Sequence, residues 1–260
     1  MKILIPVECT NNAQAQVDFI INHKWPTDLA LHVLYAIEPI VEFLNRHGVE
    51  VVIPREQGCC GAPVYMGAGD FATGRKMADT NVNAFTGLDY VIVDCATCGS
   101  SMKDYVKYLA DTPERLNTYS DLSKKLIHIT AYLTDVLKLP VSAYKARQEF
   151  QGKTITWHDP CHLNRHMGIK EQPRQILKSI DNVNFVEMKD AGRCCGMAGG
   201  FSLHHYELSQ KIADRKVENI MASGADIVVS GCPGCEIQLM DNLARHSSKI
   251  QVKHIMEILA

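Results

Sequence analysis

The sequence lacks the features that mark several common classes of protein. No apolar run reaches the roughly 18–20 residues that a membrane helix needs. The opening stretch MKILIPVECT has too short an apolar segment for a signal peptide. The formal net charge of −2 leaves no basic stripe of the kind that binds nucleic acid. We therefore expect a cytoplasmic protein that binds no nucleic acid, a reading compatible with peripheral docking on a membrane complex.

Two motifs are also missing. The C-x₂-C-x₂-C-x₃-C-P run of ferredoxin-type clusters does not occur, and no glycine-rich phosphate loop occurs near the start. Cysteine itself is abundant, and in a reducing compartment clustered cysteines more often bind metal or do redox chemistry than form disulfides. The ten cysteines are Cys9, Cys59, Cys60, Cys95, Cys98, Cys161, Cys194, Cys195, Cys232 and Cys235.

Short apolar runs alternate with helix-like segments, which predicts α/β architecture with parallel sheets covered by helices on both faces. Strands are predicted at 2–7, 29–35, 49–54, 89–94, 154–158 and 225–231. Helices are predicted at 13–24, 38–47, 70–85, 98–110, 120–137, 171–180, 204–222 and 233–245.

An internal repeat divides the chain. The first half reads CCGAP and then GLDYVIVDCATCG, and the second reads CCGMA and then GADIVVSGCPGCE. Two similar Rossmann-like modules explain this repeat better than one long domain. We place the modules at 1–145 and 146–260, with the join near the polar stretch 138–152.

Each C-x-x-C follows a predicted strand and opens a predicted helix, so its thiols lie where open α/β sheets bind ligands. A helix N-terminus also favours thiolate over thiol. Adjacent cysteines point in different directions and rarely reach one small ion, whereas a larger cluster can be held from two sides. Structural zinc stays an alternative, above all in the first module, where the C-x-x-C and the adjacent pair supply four thiols.

The pattern resembles the cysteine-rich CCG domain of the heterodisulfide reductase B subunit and of lactate-utilisation, glycolate oxidase and anaerobic glycerol-3-phosphate dehydrogenase iron–sulfur subunits. The stretches that carry the resemblance are HDPCHLNRHMGIKEQPRQIL (158–177), RCCGMAGGFSL (193–203), SGCPGCEIQL (230–239) and VKHIMEILA (252–260). The tail and the length are most similar to the lactate-utilisation and glycolate oxidase subunits.

The resemblance implies one or two [4Fe–4S]-type clusters, of non-cubane form in heterodisulfide reductase. It implies that one cluster is held by Cys161, Cys194, Cys195, Cys232 and Cys235, and the other by Cys59, Cys60, Cys95 and Cys98. It also implies an oxidoreductase subunit that works with a ferredoxin-type iron–sulfur subunit, a flavoprotein dehydrogenase subunit, or both. No catalytic residue is assigned.

Two features depart from the family pattern. The family's first module usually begins with a cysteine about thirty residues before the adjacent pair, and here the only upstream cysteine is Cys9. Cys9 comes at the end of a predicted strand, as the family's residue does, so an insertion after it can preserve the geometry of the site. Residues 1–39 resemble the opening of universal stress proteins, but without the phosphate loop we expect no ATP binding.

Five histidines lie near the second cysteine set in the sequence: His158, His162, His166, His204 and His205. His162 and His166 are spaced to share a helix face as metal ligands, but we expect His158 and His162 to pack or hydrogen-bond near the cysteine loop. Three functions remain: electron transfer in a 2-hydroxyacid-oxidising complex, disulfide reduction by a heterodisulfide reductase B-type subunit, and a zinc-binding module without redox activity.

Overall fold

In this computed structural model the backbone is described for residues 2–4 and 37–259, and side chains from residue 38. The chain divides into two compact units, residues 1–129 and 130–260. The predicted join near 138–152 lies inside the second unit. The division into functional modules at 1–145 and 146–260 stays a prediction. The segment likened to universal stress proteins and the predicted elements at 13–24 and 29–35 lie outside the described residues.

The first unit alternates strands with helices. Its described elements are β1 (Lys2–Leu4), α1 (Ile37–Arg46), β2 (Glu50–Val52), a π-helical turn (Pro63–Gly67), α2 (Phe71–Ala84), β3 (Tyr90–Val93), α3 (Ala96–Lys103), α4 (Tyr105–Tyr108), α5 (Pro113–Lys125) and β4 (Leu126–His128).

The second unit repeats this alternation after a short helical connection, α6 (Ile129–Ala131) with turns at Tyr132–Val136, Val141–Ala143 and Gln148–Phe150. Its further elements are β5 (Thr154–Trp157), a π-helical turn (His162–His166), α7 (Glu171–Ser179), β6 (Asn184–Phe185), α8 (Phe201–His204), α9 (Tyr206–Ala222), β7 (Ile227–Ser230), α10 (Pro233–Arg245), β8 (Gln251–His254) and α11 (Ile255–Ile258).

The described strands form two four-stranded sheets with the same order. The first sheet runs β2-β1-β3-β4 and the second β6-β5-β7-β8, and all pairings are parallel. Successive residues of a strand point to opposite faces of its sheet. Because all four residues of β7 and three consecutive residues of β3 and of β5 are buried, both faces are covered in each unit. The predicted α/β class is confirmed.

Local sequence explains where several helices begin. The Asp70 carboxylate accepts a hydrogen bond from the backbone N–H of Thr73 at the start of α2. The Thr112 hydroxyl accepts one from the N–H of Arg115 at the start of α5, where Pro113 follows the cap. Such caps satisfy backbone donors that have no partner within the helix.

The continuous helix predicted over 120–137 is wrong. α5 ends at Lys125, and residues Leu126–His128 form strand β4 beside β3. The run LIHITAYL suits either periodicity, and pairing with β3 determines the outcome. β6 and β8, which the sequence did not predict, are edge strands of two and four residues. Among the described helices, none has the length and apolar character that crossing a membrane requires.

Candidate metal centres

The cysteines of the second unit follow three of its strands. The second sheet has the order β6-β5-β7-β8, so β6 and β7, the two strands that follow β5 in the chain, lie on opposite sides of it. This reversal of strand order opens a crevice at the carboxyl ends of β5 and β7. Cys161 follows β5, Cys194 and Cys195 follow β6, and Cys232 begins α10 directly after β7. The topology therefore brings three separate cysteine segments to one edge.

The five thiols of the second unit form a continuous series of contacts. Cys194 exchanges side-chain hydrogen bonds with Cys161 and Cys195, Cys195 with Cys235, and Cys235 with Cys232. None is in a disulfide; Cys195, Cys232 and Cys235 are buried, and the other two are partly exposed. This set has a buried base and an open side.

The first unit repeats this series with four thiols. Cys60 hydrogen-bonds with Cys59 and Cys98, and Cys98 with Cys95. Cys59 is partly exposed and the other three are buried. Cys9, the predicted fifth member, lies outside the described residues.

The close spacing of these thiols shifts their pKa values in opposite directions. Hydrogen bonds from Cys161 and Cys195 lower the pKa of Cys194 to about 2, and those from Cys59 and Cys98 hold the pKa of Cys60 well below its usual value. Hydrogen bonding to Cys194, burial and the nearby negative charge raise the pKa of Cys195 to about 12. Close thiols cannot all ionise unaided, and bound metal removes that obstacle because it supplies positive charge. The donor set fits a multi-iron cluster, whose ligands are thiolates.

The glycine after each adjacent pair performs the same task in both units. The N–H of Gly61 donates to Cys59 Sγ at 3.5 Å, and the N–H of Gly196 donates to Cys194 Sγ at 3.3 Å. Both glycines have positive φ, +75° and +98°. A Cβ at Gly196 would lie 2.6 Å from the carbonyl oxygen of Ser209 in α9. The loop must therefore approach the helix closely, which only glycine allows.

A buried ion pair fixes the loop that carries Cys161. Arg174 of α7 donates to both carboxylate oxygens of Asp159 at 2.9 and 2.7 Å and also bonds to Glu187. The indole N–H of Trp157 donates to the same carboxylate at 2.7 Å. Asp159 is only 3% exposed, so these partners compensate its buried charge.

Two equivalent helix positions hold the loops before the cysteine pairs. Asn81 of α2 accepts from the N–H of Gly58 at 2.8 Å and donates to the carbonyl of Cys59 at 3.1 Å. Lys216 of α9 donates from Nζ to the carbonyls of Asp190 and Ala191 at 2.8 and 2.9 Å. Both side chains are fully buried. Sequence reasoning missed both, because each looks like an ordinary polar residue on a helix surface.

The structure separates the five histidines. His158 is fully buried, and one of its ring nitrogens lies within 4.8 Å of the sulfurs of Cys195 and Cys235. Burial lowers the pKa of His158 to about 3, so its imidazole is neutral near pH 7. His162 Nδ1 lies 3.9 Å from Cys161 Sγ at the partly exposed side. His166, His204 and His205 do not belong to the group around Cys195.

A family model of the cysteine-rich domain called CCG matches residues 37–103 and 155–240. The chain belongs to the CCG family. The two matched segments contain all nine described cysteines and fall one in each unit. The predicted resemblance to this family is confirmed.

Two bacterial relatives illustrate the similarity. Lactate utilization protein A of Oceanobacillus iheyensis is 32% identical over 84% of this chain and 87% of its own length. The probable glycolate oxidase iron-sulfur subunit of Bacillus subtilis is 32% identical, and the match covers 84% of this chain and 49% of that protein.

An archaeal relative and a solved structure extend the comparison. The B subunit of fumarate reductase (CoM/CoB) from Methanothermobacter marburgensis is 33% identical over 85% of this chain and 42% of its own length. This chain also resembles the crystal structure of a hypothetical protein from Helicobacter pylori, with a TM-score of 0.60 at 11% identity. The match covers 98% of this chain and 47% of the Helicobacter pylori chain. That likeness concerns the fold alone.

Proposed function

We propose that this chain is the iron–sulfur electron-transfer subunit of a multi-subunit oxidoreductase of the kind that oxidises 2-hydroxyacids. One observation carries the proposal. In each unit, thiols that contact one another lie at the carboxyl edge of the parallel sheet of that unit. Membership of the CCG family and the similarity to a probable glycolate oxidase iron-sulfur subunit support iron–sulfur chemistry at those edges.

The second site uses all five of its thiols, Cys161, Cys194, Cys195, Cys232 and Cys235. The first site uses Cys59, Cys60, Cys95, Cys98 and, as its fifth ligand, Cys9. Each set would hold one [4Fe–4S]-type cluster, which when bound accepts and releases single electrons.

Strand register supports the assignment of Cys9. Leu4 of β1 pairs with Val91, and Thr156 of β5 pairs with Val228. Val91 and Val228 stand at the same distance before the C-x-x-C of their units, four residues before Cys95 and Cys232. Cys9 follows Leu4 by the same five residues that separate Cys161 from Thr156. By register, Cys9 is therefore the counterpart of Cys161, and the extra residues of the first half come after it.

The surrounding residues supply position and charge for electron transfer. Arg174 and Trp157 hold Asp159 and thereby the loop of Cys161, and the glycine N–H groups donate to the first thiol of each pair. Hydrogen bonds to sulfur and burial tune the potential of such centres. The partly exposed side of each set, at Cys59, Cys161 and Cys194, is the side open to an electron-transfer partner. We expect that partner to be a flavoprotein dehydrogenase or a ferredoxin-type subunit.

A second candidate is a heterodisulfide reductase B-type subunit that reduces a disulfide at its cluster. The exposed edge of the second set favours it, since a disulfide substrate needs access to the centre at Cys161 and Cys194. The two candidates differ in what they need for turnover. Disulfide reduction with a reduced viologen as donor supports the second, and electron uptake only from a flavin dehydrogenase supports the first.

Anaerobic purification with iron and acid-labile sulfide counts tests the shared claim. We expect about eight irons per chain if both sites are loaded, about four if the first site is incomplete, and none if the cysteines hold zinc. Cys195→Ser and Cys60→Ser are reciprocal controls, because each should remove iron from one unit and leave the other loaded. A colourless protein with stoichiometric zinc would contradict the redox assignment.

A further inference from the structure

His158 occupies the crevice at the carboxyl ends of β5 and β7. Its backbone N–H donates to the carbonyl of Val229 at 2.9 Å, which fixes the residue at the point where the two strands separate. The side chain is fully buried, and one ring nitrogen lies within 4.8 Å of Cys195 Sγ and Cys235 Sγ. The imidazole therefore lies against the buried base of the second thiol set.

Both ring nitrogens of His158 are buried without a hydrogen-bond partner in the described part of the chain. A neutral imidazole carries one N–H donor and one lone pair. Buried polar groups in native proteins nearly always have partners, because leaving them unpaired costs free energy. The sulfurs of Cys195 and Cys235 lie within 4.8 Å of one ring nitrogen, and cysteine sulfurs become strong acceptors once they are thiolates.

We propose that His158 donates a ring N–H to the thiolate sulfurs of Cys195 and Cys235 and thereby raises the reduction potential of the second site. The proposal rests on the proposed iron–sulfur function. Reduction adds negative charge to the sulfurs, and a donor that points at them stabilises the reduced state more than the oxidised one. His158 acts through the thiolates, so it is a positioning residue and takes no part in bond making.

Donation is favoured over direct coordination because the second site has no shortage of ligands. Its five thiols already exceed the four that a cubane cluster or a zinc ion uses. Five close thiolates need compensation of their negative charge, and an N–H donor at the buried base supplies part of it.

The first half of the sequence has no histidine at the position that aligns with His158. The register that matches Leu4 to Thr156 matches Pro6 to His158 in the sequence. Proline has no side-chain donor. The first site therefore serves as an internal reference whose potential should not respond to changes at His158.

An EPR-monitored redox titration of the full-length anaerobic protein tests the inference. In His158→Leu the potential of the second site should shift downward, and in His158→Gln, which retains an N–H donor, most of that shift should be reversed. His254→Asn is the matched control: His254 is equally buried at the end of β8, but its ring nitrogen accepts from the N–H of Met256, a role that asparagine fills. Its potentials should match those of the unsubstituted protein, and an unchanged potential in His158→Leu would overturn the inference.

A measurement on the unsubstituted protein covers the case in which His158→Leu does not fold. With ¹⁵N-labelled histidine, pulsed EPR should detect a weak nitrogen coupling to the second site that is lost in His158→Gln but persists in His162→Asn, which removes the ring nitrogen 3.9 Å from Cys161 Sγ. No coupling would overturn the inference, and so would a strong coupling, because a strong coupling identifies a coordinating nitrogen. Iron counts on the same samples separate this failure from failure of the proposed function, since a loaded site with an unaffected potential contradicts only the role of His158.

Discussion

The two units do the same structural task with different charge. Asn81 and Lys216 are separated by 135 residues, the same distance as Cys60 and Cys195, so they occupy equivalent places in the repeat. Each is fully buried and bonds to the backbone of the loop that leads into the cysteine pair. One is a neutral amide and the other an amine that is protonated near pH 7, although burial lowers its pKa to about 8.

A duplicated scaffold can therefore keep its ligands and change their electrostatic surroundings. Arg174 adds no net positive charge, because it pairs with Asp159 and Glu187, so the contrast rests on Lys216, whose charge interacts with Cys195. A cation near thiolates stabilises the reduced form of a bound cluster. The second site should therefore accept electrons at a higher potential than the first, and substitutions in each unit test this difference.

The largest effect is expected from the buried ion pair. Arg174→Leu leaves the Asp159 carboxylate buried without its main partner, so we expect the second unit to lose about 3–5 kcal/mol of stability. Arg115→Leu is the counterpart in the first unit, where Arg115 pairs with Asp79 and Asp111 near the surface and its loss should cost less. Chemical denaturation of both variants measures the contrast, and equal losses would contradict it.

Substitution of the glycine after the cysteine pair should also destabilise the second unit more than the first. Gly196→Ala combines a positive φ with a Cβ 2.6 Å from the backbone carbonyl of Ser209, so we expect a loss of more than ~2 kcal/mol and poor loading of the second site. A Cβ in Gly61→Ala would meet no backbone atom, only the side chains of Met77, at 3.4 Å, and Tyr65, at 3.7 Å, so the change should cost about 1–2 kcal/mol. Iron content measures the loading of the sites, and thermal unfolding measures the loss of stability. A fully loaded Gly196→Ala protein would contradict the close contact between the Gly196 loop and α9.

The charge at Lys216 should affect potential more than fold. Lys216→Gln removes the cation but keeps an N–H donor, so the potential of the second site should fall by on the order of tens of millivolts. Asn81→Leu is the control, because it removes loop hydrogen bonds from the first unit without a change in charge. If Lys216→Gln leaves the potential of a loaded second site unchanged, the electrostatic contrast between the units is wrong.

The smallest effect is expected at a helix cap that belongs to neither thiol set. Thr112→Ala removes the hydroxyl that accepts from Arg115 N at 3.2 Å and should cost about 1 kcal/mol in the first unit. Both potentials should stay the same. A shift in either potential would mean that loss of stability alone alters the sites, which would weaken the interpretation of Lys216→Gln.

The sequence predicted the cysteine segments and the α/β class well, because a strand followed by C-x-x-C is a local pattern and the repeat doubles it. It predicted short edge elements poorly, since β4 and β8 are determined by pairing with β3 and β7 and not by their own composition. The residues expected to affect the reduction potential could not be predicted from the sequence, for a similar reason. Lys216 looks like a solvated helix residue, and the burial of His158 beside Cys195 and Cys235 depends on tertiary structure.

The most direct test of two unequal iron–sulfur sites is an EPR-monitored redox titration of the anaerobically purified full chain, together with Cys60→Ser and Cys195→Ser. We expect two one-electron transitions, the higher lost in Cys195→Ser and the lower lost in Cys60→Ser. Two transitions at the same potential, or the opposite assignment in the two variants, would contradict it.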